Sequence, residues 1–243
     1  MFLLATFWAL LGGTPADGQS FKTTNQELIW LAAKVKWSLQ NDWTLSLKYA
    51  ERRYLSPDRA QQRVVPDLAI TKEIGSRTEI GGGLWVFSIF SPQDAAIPIE
   101  TSIYEWRPYL KFSHKTGASK NKFLLGLQAE ARYFNAPTAR NHFDGPIASY
   151  AYRGRGKIGY EILLSESLKL QLSEELFMNM ASNQAISNFD QNRLRADLFI
   201  ELLPAWQLKI GYLHWFQPTG EEATYFSRHI LTTQLTYTIG GSR

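Results

Sequence analysis

The sequence contains no cysteine and only four histidines. The lack of cysteine excludes disulfide bonds, thiolate nucleophiles and cysteine-bound zinc together. No two histidines are spaced i, i+2 or i, i+4, and neither H-E-x-x-H nor G-x-S-x-G occurs. We therefore expect no metal site, no cofactor and no catalytic residue, and the sequence does not indicate an enzyme.

Long apolar runs and blocks of like charge are also missing. Beyond the N-terminus no stretch approaches about 18 apolar residues, so we expect no transmembrane helix. The 26 basic and 22 acidic residues are scattered along the chain and give a net charge of only +4. A balance this small does not imply nucleic acid, and we expect no nucleic-acid partner.

The N-terminus carries one short apolar run. Residues Phe2–Leu11 read FLLATFWALL, and small residues follow from Gly12 to Ala16. A run of this length before small residues is typical of a secretory signal peptide and is too short to span a bilayer. We predict a signal peptide over residues 1–18 and one domain over residues 19–243. The apolar run lacks the positively charged segment that precedes it in signal peptides, which leaves open a buried first strand or a capping helix.

Most of the remaining chain alternates between apolar and polar residues. Eleven such segments are bounded by Gly, Pro, Asn and Ser, which indicates β-strands. At about 11 to 15 residues they exceed the roughly five or six residues of a soluble strand and can cross a membrane. The predicted strands are Leu28–Leu39, Trp43–Leu55, Arg63–Ile74, Thr78–Phe90, Glu100–Lys115, Phe123–Phe134, Tyr150–Leu164, Leu168–Met180, Phe189–Leu202, Trp206–Gln217 and His229–Ile239.

Short and long connections alternate between these strands, as in outer-membrane barrels. We predict an all-β fold, a single antiparallel up-and-down transmembrane β-barrel of about 10–12 strands. Eleven strands conflict with the even number of bacterial barrels. A missed strand near Gln19–Asn25, a wrongly split segment and an N-terminal segment in the lumen all stay open. A soluble periplasmic β-protein with one solvated sheet face is the alternative.

The charged residues of the strands lie on the face opposite the apolar residues. Arginine and carboxylate rows on one face would offset each other inside a narrow barrel, where unpaired charge is costly. Such arginines suit an anion-selective path or an acidic small solute, whereas a plugged barrel would bind partners through its long loops. The candidate lumen-lining residues are Arg107, Glu130, Arg132, Arg153, Arg155, Glu161, Glu175, Arg193, Arg195 and Glu201.

Aromatic residues cluster near the strand ends. Trp37 and Trp43 flank the first short turn, while Tyr54, Phe177 and Trp215 lie near long loops. Two aromatic belts suit a bilayer with two interfaces. We therefore predict a porin-like barrel in the outer membrane of a Gram-negative cell, in contact with its lipids. The sequence does not define an oligomeric state.

A lipid hydrolase is the enzymatic alternative. It would need a serine and a histidine paired near one membrane interface. Ser113 and His114 are adjacent in sequence and point to opposite faces of a strand. Ser227 and His229 share a face near a long loop, so they form the candidate pair.

Several segments, in order along nearly the whole chain from Gln26 to Ile239, resemble an outer-membrane family known as domain of unknown function 2490. The family is regarded as β-barrel-like and exported, and no activity is established for it. The resemblance implies fold and location and carries over no catalytic residue. The segments are QNDWTLSLKYAERRYL (Gln40–Leu55), YEWRPYLKF (Tyr104–Phe112), LQAEARYF (Leu127–Phe134), EELFMN (Glu174–Asn179), FDQNRLRADL (Phe189–Leu198) and LKIGYLHWFQ (Leu208–Gln217).

Overall fold

The alternating segments form eleven long β-strands in the described part of the chain. The computed structural model describes residues 22–56, 59–91, 101–118, 120–139, 145–183, 188–219 and 223–240, with the side chains of residues 59–65 outside this description. The signal peptide predicted over residues 1–18 thus lies outside the described residues. Over these ranges, no helix is long and apolar enough to cross a membrane.

Eleven of the described strands are long. The twelfth, β7, has only two residues and lies in the connection between β6 and β8. The bounds are β1 Lys22–Ser38, β2 Trp43–Tyr54, β3 Arg59–Ile74, β4 Thr78–Ser91, β5 Thr101–Gly117, β6 Asn121–Asn135, β7 Thr138–Ala139, β8 Ile147–Ser165, β9 Leu168–Ser182, β10 Phe189–Leu203, β11 Trp206–Pro218 and β12 Thr224–Ile239.

The sheet closes on itself. Sequential strands pair antiparallel, β6 pairs with β8, and the short β7 adds two residues beside β5. The first and last strands meet in parallel, from Lys22 opposite Thr224 to Trp37 opposite Ile239. The predicted all-β up-and-down barrel of 10–12 strands is therefore confirmed, with one parallel pair in place of a fully antiparallel ladder.

The parallel pair also accounts for the odd strand count. Residues Lys22–Asn25 extend β1 toward the N-terminus and do not form a strand of their own. Likewise β12 begins at Thr224, five residues before the predicted start at His229. Among the described residues the eleven long strands close without a further partner, because β1 and β12 share a ladder.

The barrel has two different ends. Residues 39–42, 75–77, 166–167 and 204–205 connect strands at one end, here called the short-turn end. Asn41 and Asp42 adopt positive φ angles of 56° and 62° there, the backbone typical of tight hairpin turns. The opposite end, where β1 and β12 both begin, is here called the loop end.

A run of glycines in β4 makes room for inward aromatic side chains. A Cβ atom on Gly83 would lie 2.7 Å from the Tyr109 hydroxyl and 2.8 Å from its Cζ. The absence of that atom lets the rings of Tyr109 and Trp85 pack with their centroids 4.8 Å apart. The glycines thus serve packing inside the barrel, as expected where another group approaches a strand closely.

Candidate functional site

The polarity of the barrel is the reverse of that of a soluble protein. Large apolar side chains cover its outer face, with Leu110 72% and Phe123 62% exposed. Its interior contains charged side chains that are almost fully buried, including Glu105, Arg153 and Arg228 at 0–2% exposure. Burial of charge is tolerated only where each group is paired and hydrogen-bonded, so the interior must form a connected network.

Glu105 holds two arginines from neighbouring strands. Its Oε1 atom lies 2.6 Å from Arg107 Nη2 and accepts a 2.6 Å hydrogen bond from Arg132 Nε. Arg107 lies on the same strand, β5, two residues further on, so both side chains point inward. Arg132 comes from β6. One carboxylate therefore neutralises guanidinium groups on two strands.

A second junction continues the network around the barrel. Arg153 on β8 donates from Nε to Glu130 Oε2 at 3.0 Å and from Nη1 to Asp190 Oδ2 at 2.6 Å. Glu130 Oε2 also lies 3.7 Å from Arg107 Nε. The structure thus brings together four predicted residues, Arg107, Glu130, Arg132 and Arg153, and ties them to Asp190 on β10.

Two further predicted arginines have their own carboxylates. Arg155 Nη2 donates to Glu175 Oε1 at 2.6 Å, and Lys157 lies 3.6 Å from the same oxygen. Arg195 donates to both oxygens of Asp197 at 3.1 and 3.2 Å. These pairs line the lumen from β8, β9 and β10 beside the main network.

Arg193 differs from the other predicted arginines because its hydrogen bonds go to an uncharged group. Its Nε and Nη2 atoms donate to Gln191 Oε1 at 3.2 and 3.0 Å. The guanidinium otherwise lies over aromatic rings, 4.7 Å from the centroids of both Trp215 and Phe177 and 5.5 Å from that of Trp30.

Arginine–aromatic stacking fills the lumen near the loop end. Arg52 lies 4.1 Å over Trp30, and Arg228 lies 4.4 Å over Trp215. The predicted aromatic belt at this end is therefore partly wrong. Tyr54, Phe177 and Trp215 point inward and are at most 3% exposed, because their strand positions share the face of the arginines.

A cavity of about 270 Å³ opens among these groups. Among the described residues, its lining contains five arginines and one carboxylate, that of Asp190. The Trp215 indole N–H also belongs to the lining and has no hydrogen-bond acceptor among the described residues. The cavity is therefore rich in donors and poor in acceptors. The arginines are Arg52, Arg107, Arg132, Arg153 and Arg193.

Lysines replace arginines toward the short-turn end. Lys48 pairs with Asp67 and Lys111 with Glu79, each at 2.6 Å. Glu161, a predicted lumen residue, lies 3.5 Å from both Lys115 and Lys169. The remaining predicted residue, Glu201, accepts a 2.6 Å hydrogen bond from Gln207. The structure thus places Glu161 and Glu201 apart from the arginine network.

The candidate serine–histidine pair is arranged differently from the prediction. Ser227 Oγ lies 2.9 Å from Nε2 of His214, whereas His229 Nδ1 lies 2.6 Å from the Tyr212 hydroxyl. The prediction that Ser227 pairs with His229 is therefore wrong. Ser227 and His229 are consecutive residues on one face of β12, and the sequence alone suggests that they meet. The register between β11 and β12 instead brings His214 closer to Ser227.

Sequence reasoning missed several members of the lumen network. Arg52 lies in the charged run Glu51-Arg52-Arg53, where alternation gives no unique inward residue. Arg228 precedes the predicted start of its strand by one residue. Asp190 was assigned to a strand but not to the lumen, although it lies next to Gln191 in the resemblance segment FDQNRLRADL. Extension of the β12 alternation back by one residue would have placed Arg228 on the inward face.

The fold and the lumen define a closed β-barrel with a charged interior. Residues 27–226 match the family DUF2490, described as proteins of unknown function, and the chain belongs to this family. No curated protein matches the chain. A solved structure described as "NanC porin structure in rhombohedral crystal form" is similar at 12% identity and a TM-score of 0.45, covering 74% of this chain and 78% of that one.

Proposed function

We propose that this chain is an outer-membrane β-barrel that binds a small anionic solute in the arginine-lined cavity at its loop end. The proposal has two parts, a location and a ligand class. The reversed polarity of the barrel supports the location. The donor-rich, acceptor-poor cavity supports the ligand class and is the observation that carries the functional proposal.

The location follows from the cost of leaving the outer face in water. Burial of one large apolar side chain stabilises a protein by about 1.5–3 kcal/mol, and this barrel exposes such side chains around its circumference. Leu127 and Ile158 are each 54% exposed, and Leu172 and Ile210 are at least 40% exposed. A soluble periplasmic protein would hold these groups in water while burying its charges, so lipid is the better solvent for this surface.

The ligand class follows from the hydrogen-bond inventory of the cavity. Arg193 donates to the neutral Gln191, and the Trp215 indole N–H has no acceptor among the described residues. Guanidinium and indole groups only donate, so a ligand must bring acceptors. Carboxylate, phosphate and sulfate groups supply several acceptors together with the negative charge that suits an arginine cluster.

Close packing of the lumen favours binding over free conduction. Glu105 and Arg228 are fully buried, and Arg153 is 2% exposed, at the level of the aromatic stack. A wide aqueous path would leave such groups exposed to solvent. We therefore infer a binding barrel whose conductance in a planar bilayer is small.

Fractionation of cells that express the full chain tests the location. We expect recovery in the outer-membrane fraction and a mobility shift on boiling in a gel, as compact barrels resist mild detergent. Recovery as a soluble protein in detergent-free buffer would overturn the membrane assignment, and the charged face would then be an ordinary solvated sheet face.

Calorimetric titration of the purified barrel in detergent tests the ligand class. The probes are inorganic phosphate, sulfate and gluconate. Arg193→Gln should weaken binding of the tightest probe by about tenfold or more, since a hydrogen bond to a charged group contributes about 1.5–3 kcal/mol. Lys34→Gln, toward the short-turn end of β1, is the matched control and should leave the affinity unchanged. Absence of binding by all three probes, or equal affinity in the Arg193 variant, would contradict the proposal.

A further inference from the structure

Two histidines meet on the outer face of the barrel, away from the lumen. His214 on β11 and His229 on β12 are direct cross-strand partners. Their ring centroids lie 5.2 Å apart with an interplanar angle of 40°. We propose that this pair binds one divalent transition-metal ion, of the Zn²⁺, Ni²⁺ or Cu²⁺ class. The site is independent of the proposed solute cavity, because the two residues point away from it.

Each imidazole has one nitrogen held by a hydroxyl group. His214 Nε2 lies 2.9 Å from Ser227 Oγ, and His229 Nδ1 lies 2.6 Å from the Tyr212 hydroxyl. In the part of the chain that the structure describes, no hydrogen bond engages His214 Nδ1 or His229 Nε2. Histidines that bind metals commonly donate their other ring N–H to a fixed partner, which sets the tautomer and aims the free nitrogen. Both rings here have a hydroxyl partner on one nitrogen, and the tautomer that donates to that hydroxyl leaves the other nitrogen free to bind an ion.

The spacing suits a single ion between the rings. Imidazole nitrogens bind zinc at about 2.0–2.1 Å, so ring centroids 5.2 Å apart allow one ion to contact one nitrogen of each ring. Neutral imidazole suits Zn²⁺, Ni²⁺ and Cu²⁺ better than Mg²⁺ or Ca²⁺, which prefer oxygen ligands. The ion class therefore follows from the donor atoms.

The two histidines supply two ligands and leave other positions of the ion open. Among the described residues no group of three or more His, Asp or Glu side chains converges on one point. Glu27 on β1 occupies the register position beside His229 and points outward as well. Its carboxylate is the third ligand we assign, after rotation of its side chain, and water completes the coordination.

The position of the pair within an apolar face also indicates a specific role. Along β11 and β12 the neighbouring outward residues are Tyr212, Phe216 and Leu231, so the two imidazoles interrupt an apolar surface. Ionisable groups on such a surface are costly and commonly functional. A metal-bound imidazole pair near the loop end, where water and lipid headgroups meet the barrel, would satisfy the free nitrogens.

Zn²⁺ titration and Cu²⁺ electron paramagnetic resonance of the full-length barrel in detergent micelles test the proposal. We expect one ion per barrel and a Cu²⁺ spectrum with two coordinated nitrogens. His214→Gln and His229→Gln should each lower the affinity at least tenfold and leave one coordinated nitrogen. Glu27→Gln should give a smaller loss. His114→Gln is the matched control, since His114 contacts Thr78 at 2.9 Å on the far side of the barrel, and should change neither measurement.

The mobility shift on boiling in a gel shows whether each variant still folds, so a loss of binding can be assigned to the site. Equal binding in the wild type and in both histidine variants would overturn the proposal. So would an effect in only one of them, because a two-histidine site requires both. A loss in His114→Gln as large as that in His229→Gln would place the ion elsewhere and would also refute it.

Discussion

Removal of the Glu105 charge should destabilise the barrel strongly. Glu105 is fully buried and holds Arg107 and Arg132 at 2.6 Å each. In Glu105→Gln both guanidinium groups lose their nearest counter-charge, and the remaining carboxylates are more distant. Glu130 Oε2 lies 3.7 Å from Arg107, and Asp190 Oδ1 lies 3.9 Å from Arg132. Loss of one partner from a buried pair costs about 3–5 kcal/mol, and we expect a loss in this range.

A salt bridge nearer water provides the matched control. Glu79 and Lys111 also lie 2.6 Å apart, but their side chains are 34% and 29% exposed. Solvent screening reduces such a pair to about 0–1 kcal/mol, so Glu79→Gln should have little effect on stability. The two variants make the same chemical change at equal distance, but Glu105 is buried and holds two arginines, whereas Glu79 is partly exposed and holds one lysine.

Equilibrium urea unfolding in phospholipid vesicles measures both variants. The chain contains 8 tryptophans, so tryptophan fluorescence reports the transition, and the fraction of heat-modifiable barrel gives a second reading. Glu105→Gln/Arg132→Gln should recover part of the loss, because it removes one uncompensated guanidinium. If Glu105→Gln lost no more free energy of unfolding than Glu79→Gln, the charges at Glu105 would not be held in a dry lumen, and the reasoning would be refuted.

Three further variants test packing, turn geometry and chemistry. Gly83→Ala should destabilise the barrel by about 1–3 kcal/mol through contact with the Leu68 carbonyl oxygen and the Tyr109 side chain, whereas Gly156→Ala, whose Cβ would have nothing within 4 Å, should be nearly neutral in the same urea assay. Asn41→Val should cost about 1–2 kcal/mol, because a β-branched residue is disfavoured at its positive φ of 56°. Wild-type barrel should release no fatty acid from phospholipid vesicles, and release that disappears in His214→Ala would instead establish the hydrolase alternative.

The sequence predicted the barrel because its physical signal is local. A strand with one face toward lipid and one toward a charged lumen alternates with a period of two, and each turn carries its own residue preferences. Thus the placement of Arg193 and Leu194 on opposite faces of β10 could be predicted from five or six residues alone. The same holds for the tight turn at Asn41, where Asn and Asp tolerate positive φ.

Features that depend on the register between strands could not be predicted in this way. The parallel ladder of β1 and β12 joins residues about 200 positions apart and leaves no local trace in the sequence. The contact of Ser227 with His214, in place of His229, depends on how β11 aligns with β12. Face assignment also failed where charges were contiguous, as at Arg52, and where aromatic residues such as Trp215 lay at a strand end but pointed inward.

The separation of arginine from lysine along the lumen has a physical reason that connects packing to the proposed function. Arginine has a planar guanidinium that stacks on aromatic rings and binds carboxylates through two nitrogens, so it can be held in a dry, filled section. Lysine has a compact and strongly hydrated ammonium group that favours water. Arg228 is fully buried between aromatic rings, whereas Lys111 remains 29% exposed. The arginine section therefore narrows the lumen toward the loop end, and an anion bound in its cavity would accept hydrogen bonds from guanidinium groups in place of water.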